Sequence, residues 1–365
     1  MKLSRTGQVA GLAIVGALAL TACSSGDNTT STPKASSSSD TASCATGSLS
    51  AQGSTFQQNA ELQWSKDFQA KCSGAQVAYQ GTGSGAGKTA FGNATADFGG
   101  TDSLPKDAEQ AAADKRCGAG NKGIVTPIVA GAVVLTYNLD GVDKLVLSPK
   151  TVAGIFQGKI TKWDDAAVKA DNPSASLPGT TIVPVHRSDK SGTTKIFSSW
   201  LDKTAGGDWK LGVDETLPWP GGQSAKGSDG TTTAVSQAKG GITYTELSFA
   251  KQRSLPFAEV KNQSGAAVTA DAASVSAALK TATVDTAKGD IRITPDYATT
   301  TAEAYPLAAP SYVLTCDKGN KSAALLKAYL TYVLTDGKAV LDGLGYAPLP
   351  DAINAQAVTQ VASLA

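Results

Sequence analysis

The chain has 365 residues, 32 of them basic and 31 acidic, for a net charge of +1. That balance gives no electrostatic case for binding nucleic acid. A single histidine, His186, leaves no basis for a zinc site or a histidine-based catalytic triad, and neither a metal nor a cofactor is expected.

At the N-terminus, Lys2 and Arg5 precede an apolar run from Val9 to Leu20. The run is shorter than the roughly 20 residues a transmembrane helix needs. Leu20-Thr21-Ala22-Cys23 follows. Small residues just before a cysteine resemble a bacterial lipobox, in which Cys23 is acylated and becomes the new N-terminus. Residues 1–22 therefore read as a lipoprotein signal peptide, and the protein as lipid-anchored on the extracytoplasmic face of the cell membrane. A plain signal peptide or an uncut anchor are the alternatives. Residues 23–45 read as a tether. Ser24 to Ser43 holds no large apolar residue and cannot bury enough surface to fold. About 20 such residues span ~25 Å end to end. Four cysteines remain, Cys44, Cys72, Cys117 and Cys316, with no C-x-x-C spacing. An even count outside the cytosol suggests two disulfides, and four cysteines allow three connectivities.

From about Thr46 onward the chain exceeds the size of one ordinary core, so two lobes are expected. Apolar runs alternate with helical patterns, the signature of an α/β fold. Ser48–Gln52 reads as a strand, and Ala60, Trp64 and Phe68 form a helical stripe. Ala75, Val77 and Tyr79 alternate as in a strand. Ile124 to Tyr137 is a long apolar segment with an expected break at Gly131. Ser148-Pro149 is a helix start, with an N-cap followed by proline at the first helical position. Ile182–Val185 reads as a strand, the Ala-rich stretch near 272–282 as a helix, and Leu325, Leu326, Tyr329, Leu330 and Val333 as a late helix.

Three strand-to-helix corners share one chemistry: Gly53-Ser54-Thr55-Phe56, Gly81-Thr82-Gly83-Ser84-Gly85, and Arg187-Ser188-Asp189-Lys190-Ser191-Gly192-Thr193. Each places a hydroxyl at the expected start of a helix. Helix N-termini offer free N–H groups and partial positive charge, and arginine adds a planar fork for an oxyanion. Ligands of open α/β sheets bind where such corners converge. An ordinary Ser/Thr cap beside an exposed Arg–Asp pair is the plainer account of the third corner alone. The Gly-rich stretch is not a Walker A loop, because Thr82 stands where glycine is required. Gly81-x-Gly83-x-x-Ala86 fits the loose dinucleotide fingerprint only weakly. Asp102, in Asp97-Phe98-Gly99-Gly100-Thr101-Asp102, should repel an anion unless the ligand has a proton to donate. Phosphate at neutral pH has one and sulfate does not. A turn cap is the other role open to Asp102.

Together these segments resemble the phosphate-binding proteins of the phosphate-specific ABC transporter, the PstS family. Further matching pieces are Lys162-Trp163-Asp164-Asp165, Trp219-Pro220, Lys226-Gly227-Ser228-Asp229-Gly230 and Gly241-Ile242-Thr243-Tyr244-Thr245-Glu246, in order between Ser48 and Leu349. The resemblance implies a two-lobed periplasmic-binding-protein fold of type II with two inter-lobe crossings. The expected lobes are 46–133 with 305–365, and 134–304. It implies that Thr55, Phe56 (through its backbone), Ser84, Asp102, Arg187, Ser191, Gly192 and Thr193 hold phosphate, with Asp189 orienting Arg187. Trp163, Trp219 and Glu246 read as packing residues. Gln57 and Lys190 depart from the family's expected proline and small residue.

The function implied is capture of inorganic phosphate by a monomer that delivers it to membrane permease subunits, rather than catalysis. The alternative is an exported phosphomonoesterase, for which no evident base accompanies Ser84 or Ser191. The expected disulfides are Cys44–Cys72, which brackets one strand and one helix, and Cys117–Cys316, the remaining pair.

Overall fold

The computed structural model describes residues 44–365. The signal peptide read over 1–22, the acylation site Cys23 and the tether as far as residue 43 lie outside the described residues.

The chain first alternates strand and helix: β1 (Gly47–Gly53), α1 (Gln58–Lys71), β2 (Ala75–Gly81), α2 (Ser84–Gly92), β3 (Phe98–Thr101) and α3 (Asp107–Cys117). A long strand, β4 (Gly123–Asn138), leads into β5 (Val146–Leu147), α4 (Pro149–Phe156), α5 (Ala166–Asp171), β6 (Val183–Arg187) and α6 (Gly192–Thr204). Then come β7 (Gln223–Ala225), α7 (Gly227–Gln237), β8 (Gly241–Glu246), α8 (Leu247–Gln252), β9 (Glu259–Lys261) and β10 (Ala267–Val268). The order ends with α9 (Ala272–Leu279), β11 (Thr283–Asp285), β12 (Arg292–Thr294), β13 (Ala308–Cys316), α10 (Ala323–Leu334), α11 (Leu341–Leu344) and α12 (Asp351–Ala362).

Eight strands form one sheet in the order β2-β1-β3-β13-β4-β8-β6-β7. This is the α/β architecture read from the sequence, in its two-lobed form. β1, β2 and β3 run parallel, and β6 runs parallel to β7 and β8. The carboxyl ends of β1, β2, β3 and β6 carry the loops singled out above, as expected of a ligand cleft in a parallel sheet.

β4 joins the two parts of the sheet. Residues Gly123–Ala132 pair with β13, and Val133–Asn138 pair with β8. The break expected at Gly131 does not occur, since one strand passes through it. The glycine serves packing instead. A Cβ at Gly131 would stand 2.8 Å from the ring of Phe56, so only a bare backbone lets that ring close on the sheet. Nearby, Ser311 pairs with Val129 and Tyr312 with Pro127, so Ile128 is an extra residue on β4. Proline has no N–H for the ladder, which suits it to such an irregularity.

Local signals behave as their chemistry requires. Ala60, Trp64 and Phe68 form the buried stripe of α1. The Ser148 side chain caps α4 through the N–H of Thr151, with Pro149 following. The cysteines pair as Cys44–Cys72 and Cys117–Cys316. The first bridge ties residue 44 to the end of α1, so the ordered body reaches two residues further back than the tether boundary at 45 suggested.

Candidate functional site

The first corner follows β1. Ser54 Oγ donates to Asp102 Oδ1 at 2.5 Å and accepts the N–H of Phe56 at 2.9 Å. Thr55 turns the other way, with its Oγ1 2.8 Å from Ser228 Oγ at the start of α7. No hydroxyl caps α1, because Gln57 precedes it and makes no capping bond. The corner's hydroxyls are spent instead on Asp102 and Ser228.

The second corner opens α2. Ser84 Oγ donates to Asp102 Oδ2 at 3.1 Å and lies 3.2 Å from the N–H of Asp102. Ser311, on β13, adds a third hydroxyl to Asp102 Oδ1 at 2.6 Å. Asp102 is thus no turn cap. Its oxygens face hydroxyls from three separate segments. A carboxylate accepts about four hydrogen bonds, so one acceptor position remains, on Oδ2. Burial raises its pKa, and the three serines and Arg187 offset that rise only in part.

The third corner comes from the other side. Arg187 ends β6 with its guanidinium buried. Its Nε and Nη2 are held by the two oxygens of Asp189, at 2.8 and 2.5 Å. Asp189 is in turn fixed by the N–H of Gly227 at 3.0 Å. This leaves Nη1 toward Thr193, 3.5 Å away. Pairing with Arg187 lowers the pKa of Asp189 against the opposing effect of burial, so this carboxylate stays charged at neutral pH. Tyr244 braces the loop, its hydroxyl 2.8 Å from Thr194 Oγ1 and accepting the N–H of Arg187 at 3.3 Å.

Ser191 caps α6 by accepting the N–H of Thr194 at 3.1 Å. The N–H groups of Gly192 and Thr193 have no acceptor among the described residues. They sit at the positive end of a 13-residue helix. That end reaches across to the other lobe. A Cβ at Gly192 would fall 2.5 Å from Ser84 Oγ and 2.6 Å from Asp102 Oδ2.

The cleft is closed in this structure. The Gly85 N–H donates to the Lys190 carbonyl at 3.1 Å. Lys88 Nζ pairs with Glu215 at 2.8 Å and with Glu109 at 2.9 Å. Thr55, Phe56, Ser84, Asp102, Arg187, Ser191, Gly192 and Thr193 are all buried. Sequence reasoning missed Ser54, Ser228 and Ser311. The first two stood inside quoted segments without a role. The two departures are accommodated. Lys190 is exposed and serves through its carbonyl, and Gln57 is buried beside Ser311. Trp163 is enclosed, Trp219 stacks on His186 at 4.9 Å between ring centres, and Glu246 caps α8.

A family model described as a PBP superfamily domain matches residues 38–337. The chain is 36% identical over 377 residues to "Phosphate-binding protein PstS 3" of Mycobacterium tuberculosis, with both chains fully covered. The chain belongs to the PstS family. It is also 38% identical to "Phosphate-binding protein PstS" of Xylella fastidiosa, over 83% of this chain and 81% of the other. Among solved structures, a phosphate-binding protein from Stenotrophomonas maltophilia superposes with a TM-score of 0.67 at 20% identity, covering 86% of this chain and 93% of that one. A high-affinity periplasmic phosphate-binding protein gives 0.68 at 24% identity, over 85% and 92%. At these identities the superpositions establish the two-lobed fold alone. Membership of the PstS family rests on the sequence relatives.

Proposed function

We propose that this PstS-family chain captures inorganic phosphate outside the cytoplasm and delivers it to the permease of an ABC transporter. One observation carries the choice of ligand: Asp102, with a single acceptor position left, lies beside Gly192 at the start of α6 and within the field of Arg187. The N–H groups and the guanidinium suit the oxygens of a tetrahedral oxyanion. The carboxylate suits the one oxygen that keeps a proton. Thr55, the Phe56 backbone, Ser84, Ser191 and Thr193 supply the remaining contacts. A fully dehydrated anion requires such a complete set.

The lobes are 46–133 with 305–365, and 134–304, with phosphate held between them. The chain acts as a monomer, anchored through an acylated Cys23. Radiolabelled palmitate incorporation that survives Cys23→Ser would remove the anchor.

Calorimetric titration with phosphate, sulfate and arsenate tests the reading. Phosphate and arsenate should bind and sulfate should not. Equal binding of phosphate and sulfate would overturn it. Release of phosphate from generic monoesters, abolished by Ser191→Ala, would favour the phosphomonoesterase instead.

A further inference from the structure

Behind Asp102 lies a second carboxyl group that the site does not use. Glu61, on α1, is completely buried. Tyr329 donates to its Oε2 at 2.6 Å, and the Gln57 Nε2 amide donates to its Oε1 at 3.0 Å. The other groups around it are Tyr79 and, farther off, Asp102. No cation pairs with it among the described residues.

The Gln57 Oε1 carbonyl accepts from Ser311 Oγ at 2.5 Å, and Ser311 Oγ also lies 2.6 Å from Asp102 Oδ1. Two buried carboxyl groups are thus joined through one amide and one hydroxyl. Ser311 has a single hydrogen and cannot donate to both neighbours. Two arrangements satisfy the chain. In one, reached by a half-turn of the amide from its orientation here, Ser311 donates to ionised Asp102, the Gln57 N–H donates to Ser311, and neutral Glu61 donates to the Gln57 carbonyl. In the other, which matches the amide orientation here, the Gln57 N–H donates to Glu61, Ser311 donates to the Gln57 carbonyl, and Asp102 holds the proton. A half-turn of the amide interconverts them. Either way the chain carries one proton for two carboxyl groups.

Resting on the phosphate reading, we propose that Glu61 is a positioning residue for selectivity. Through Gln57 and Ser311 it keeps the shared proton away from Asp102, so that Asp102 stays an acceptor for the ligand's own hydroxyl. The surroundings favour this assignment. Arg187 and three serines stabilise charge on Asp102, whereas Glu61 has only a phenol and an amide. Burial pushes Glu61 up to about 7, so the proton is held in mildly acidic solution and lost as pH rises through neutrality. Once it is lost, the amide turns its N–H to Glu61. Ser311 then has two acceptors for one hydrogen, and Asp102 has a second negative charge behind it.

The test is phosphate affinity by calorimetry between about pH 6 and about pH 9, for wild type and Glu61→Gln. The amide of the variant supplies permanently the donor that neutral Glu61 supplies. Titration of phosphate itself is common to both proteins and cancels in their ratio. The ratio of variant to wild-type affinity should rise about tenfold across this range, the worth of one hydrogen bond. A flat ratio overturns the proposal. Ser311→Ala should lose most of the pH dependence that wild type shows in excess of Glu61→Gln, and Ser311→Thr should restore it. If Glu61→Gln does not fold, that pair decides: a Ser311→Ala profile parallel to wild type overturns the relay. Absence of phosphate uptake by wild type at any pH overturns the phosphate reading and this proposal together. Uptake with a flat ratio overturns the relay alone.

Discussion

Lys88 and Glu215 form a buried ion pair across the cleft, 2.8 Å between Nζ and Oε1, with side-chain exposures of 1% and 5%. Lys88 lies on α2 and Glu215 in the loop that follows α6. Ser103 also donates to the same oxygen of Glu215. Opening the cleft would separate these partners and let water reach them. Removing one partner of a buried pair typically costs about 3–5 kcal/mol. For Glu215→Gln the lower end applies, because Glu109 still partners Lys88 at 2.9 Å. The loss falls on the closed state, so phosphate affinity should drop about a hundredfold. Thermal stability without ligand should change little. Calorimetry and melting curves together check this, and an unchanged affinity would remove the pair from closure.

Arg187 is gripped at two points by Asp189, which a lysine cannot reproduce. Arg187→Ala should weaken phosphate binding by about 2–5 kcal/mol, and Arg187→Lys by clearly less. Titrations in which both variants match wild type would place Arg187 outside the site.

Asp102→Asn keeps a carbonyl for one pair of hydroxyls and turns an N–H2 toward the cleft. Sulfate affinity should rise at least tenfold relative to phosphate, because a repelling acceptor becomes a donor. Competition titrations measure the ratio directly. Rejection of sulfate as strong as in wild type would mean that Asp102 does not read the ligand's proton.

Gly192→Ala inserts a methyl group among atoms that are already pinned, 2.5 Å from Ser84 Oγ. Overpacking of this kind typically costs about 1–3 kcal/mol. Phosphate affinity should fall about tenfold or more, and small-angle scattering should find the ligand-bound form more open. Full closure at normal affinity would contradict the contact.

Glu61 also sets a pH dependence of stability in the absence of ligand. Its pKa rises from 4.5 to about 7 because burial disfavours the charge. Its full contribution is present below the unfolded value and is lost as pH rises through the folded value. The loss approaches about 3 kcal/mol by pH 8. Glu61→Gln cannot ionise, so its melting temperature should gain on wild type between about pH 5 and about pH 8. Parallel curves would mean that Glu61 titrates normally.

Much of this site could be read from the sequence because its parts are local. A hydroxyl beside a glycine at a strand end marks a corner, and Arg187 with Asp189 two residues later forms a fork and its brace. What was missed is non-local. Ser311 is one hydroxyl in a buried apolar strand, 209 residues from Asp102. Glu61 lies in a helix whose pattern reads as ordinary packing. Glu215 sits in a loop with no motif. Gly131 misled for a related reason. In sequence a glycine signals a break, and only the packed ring of Phe56 reveals that it marks a close approach.

The Cys44–Cys72 bridge has a mechanical consequence. Cys44 precedes the start of β1, whereas Gly53, at its far end, opens the ligand corner. Seven extended residues separate those ends by ~20 Å. Any pull on the chain ahead of residue 44 meets a covalent clasp to the end of α1 before it meets a ladder of hydrogen bonds. Force entering there is borne by the base of the lobe, opposite the cleft.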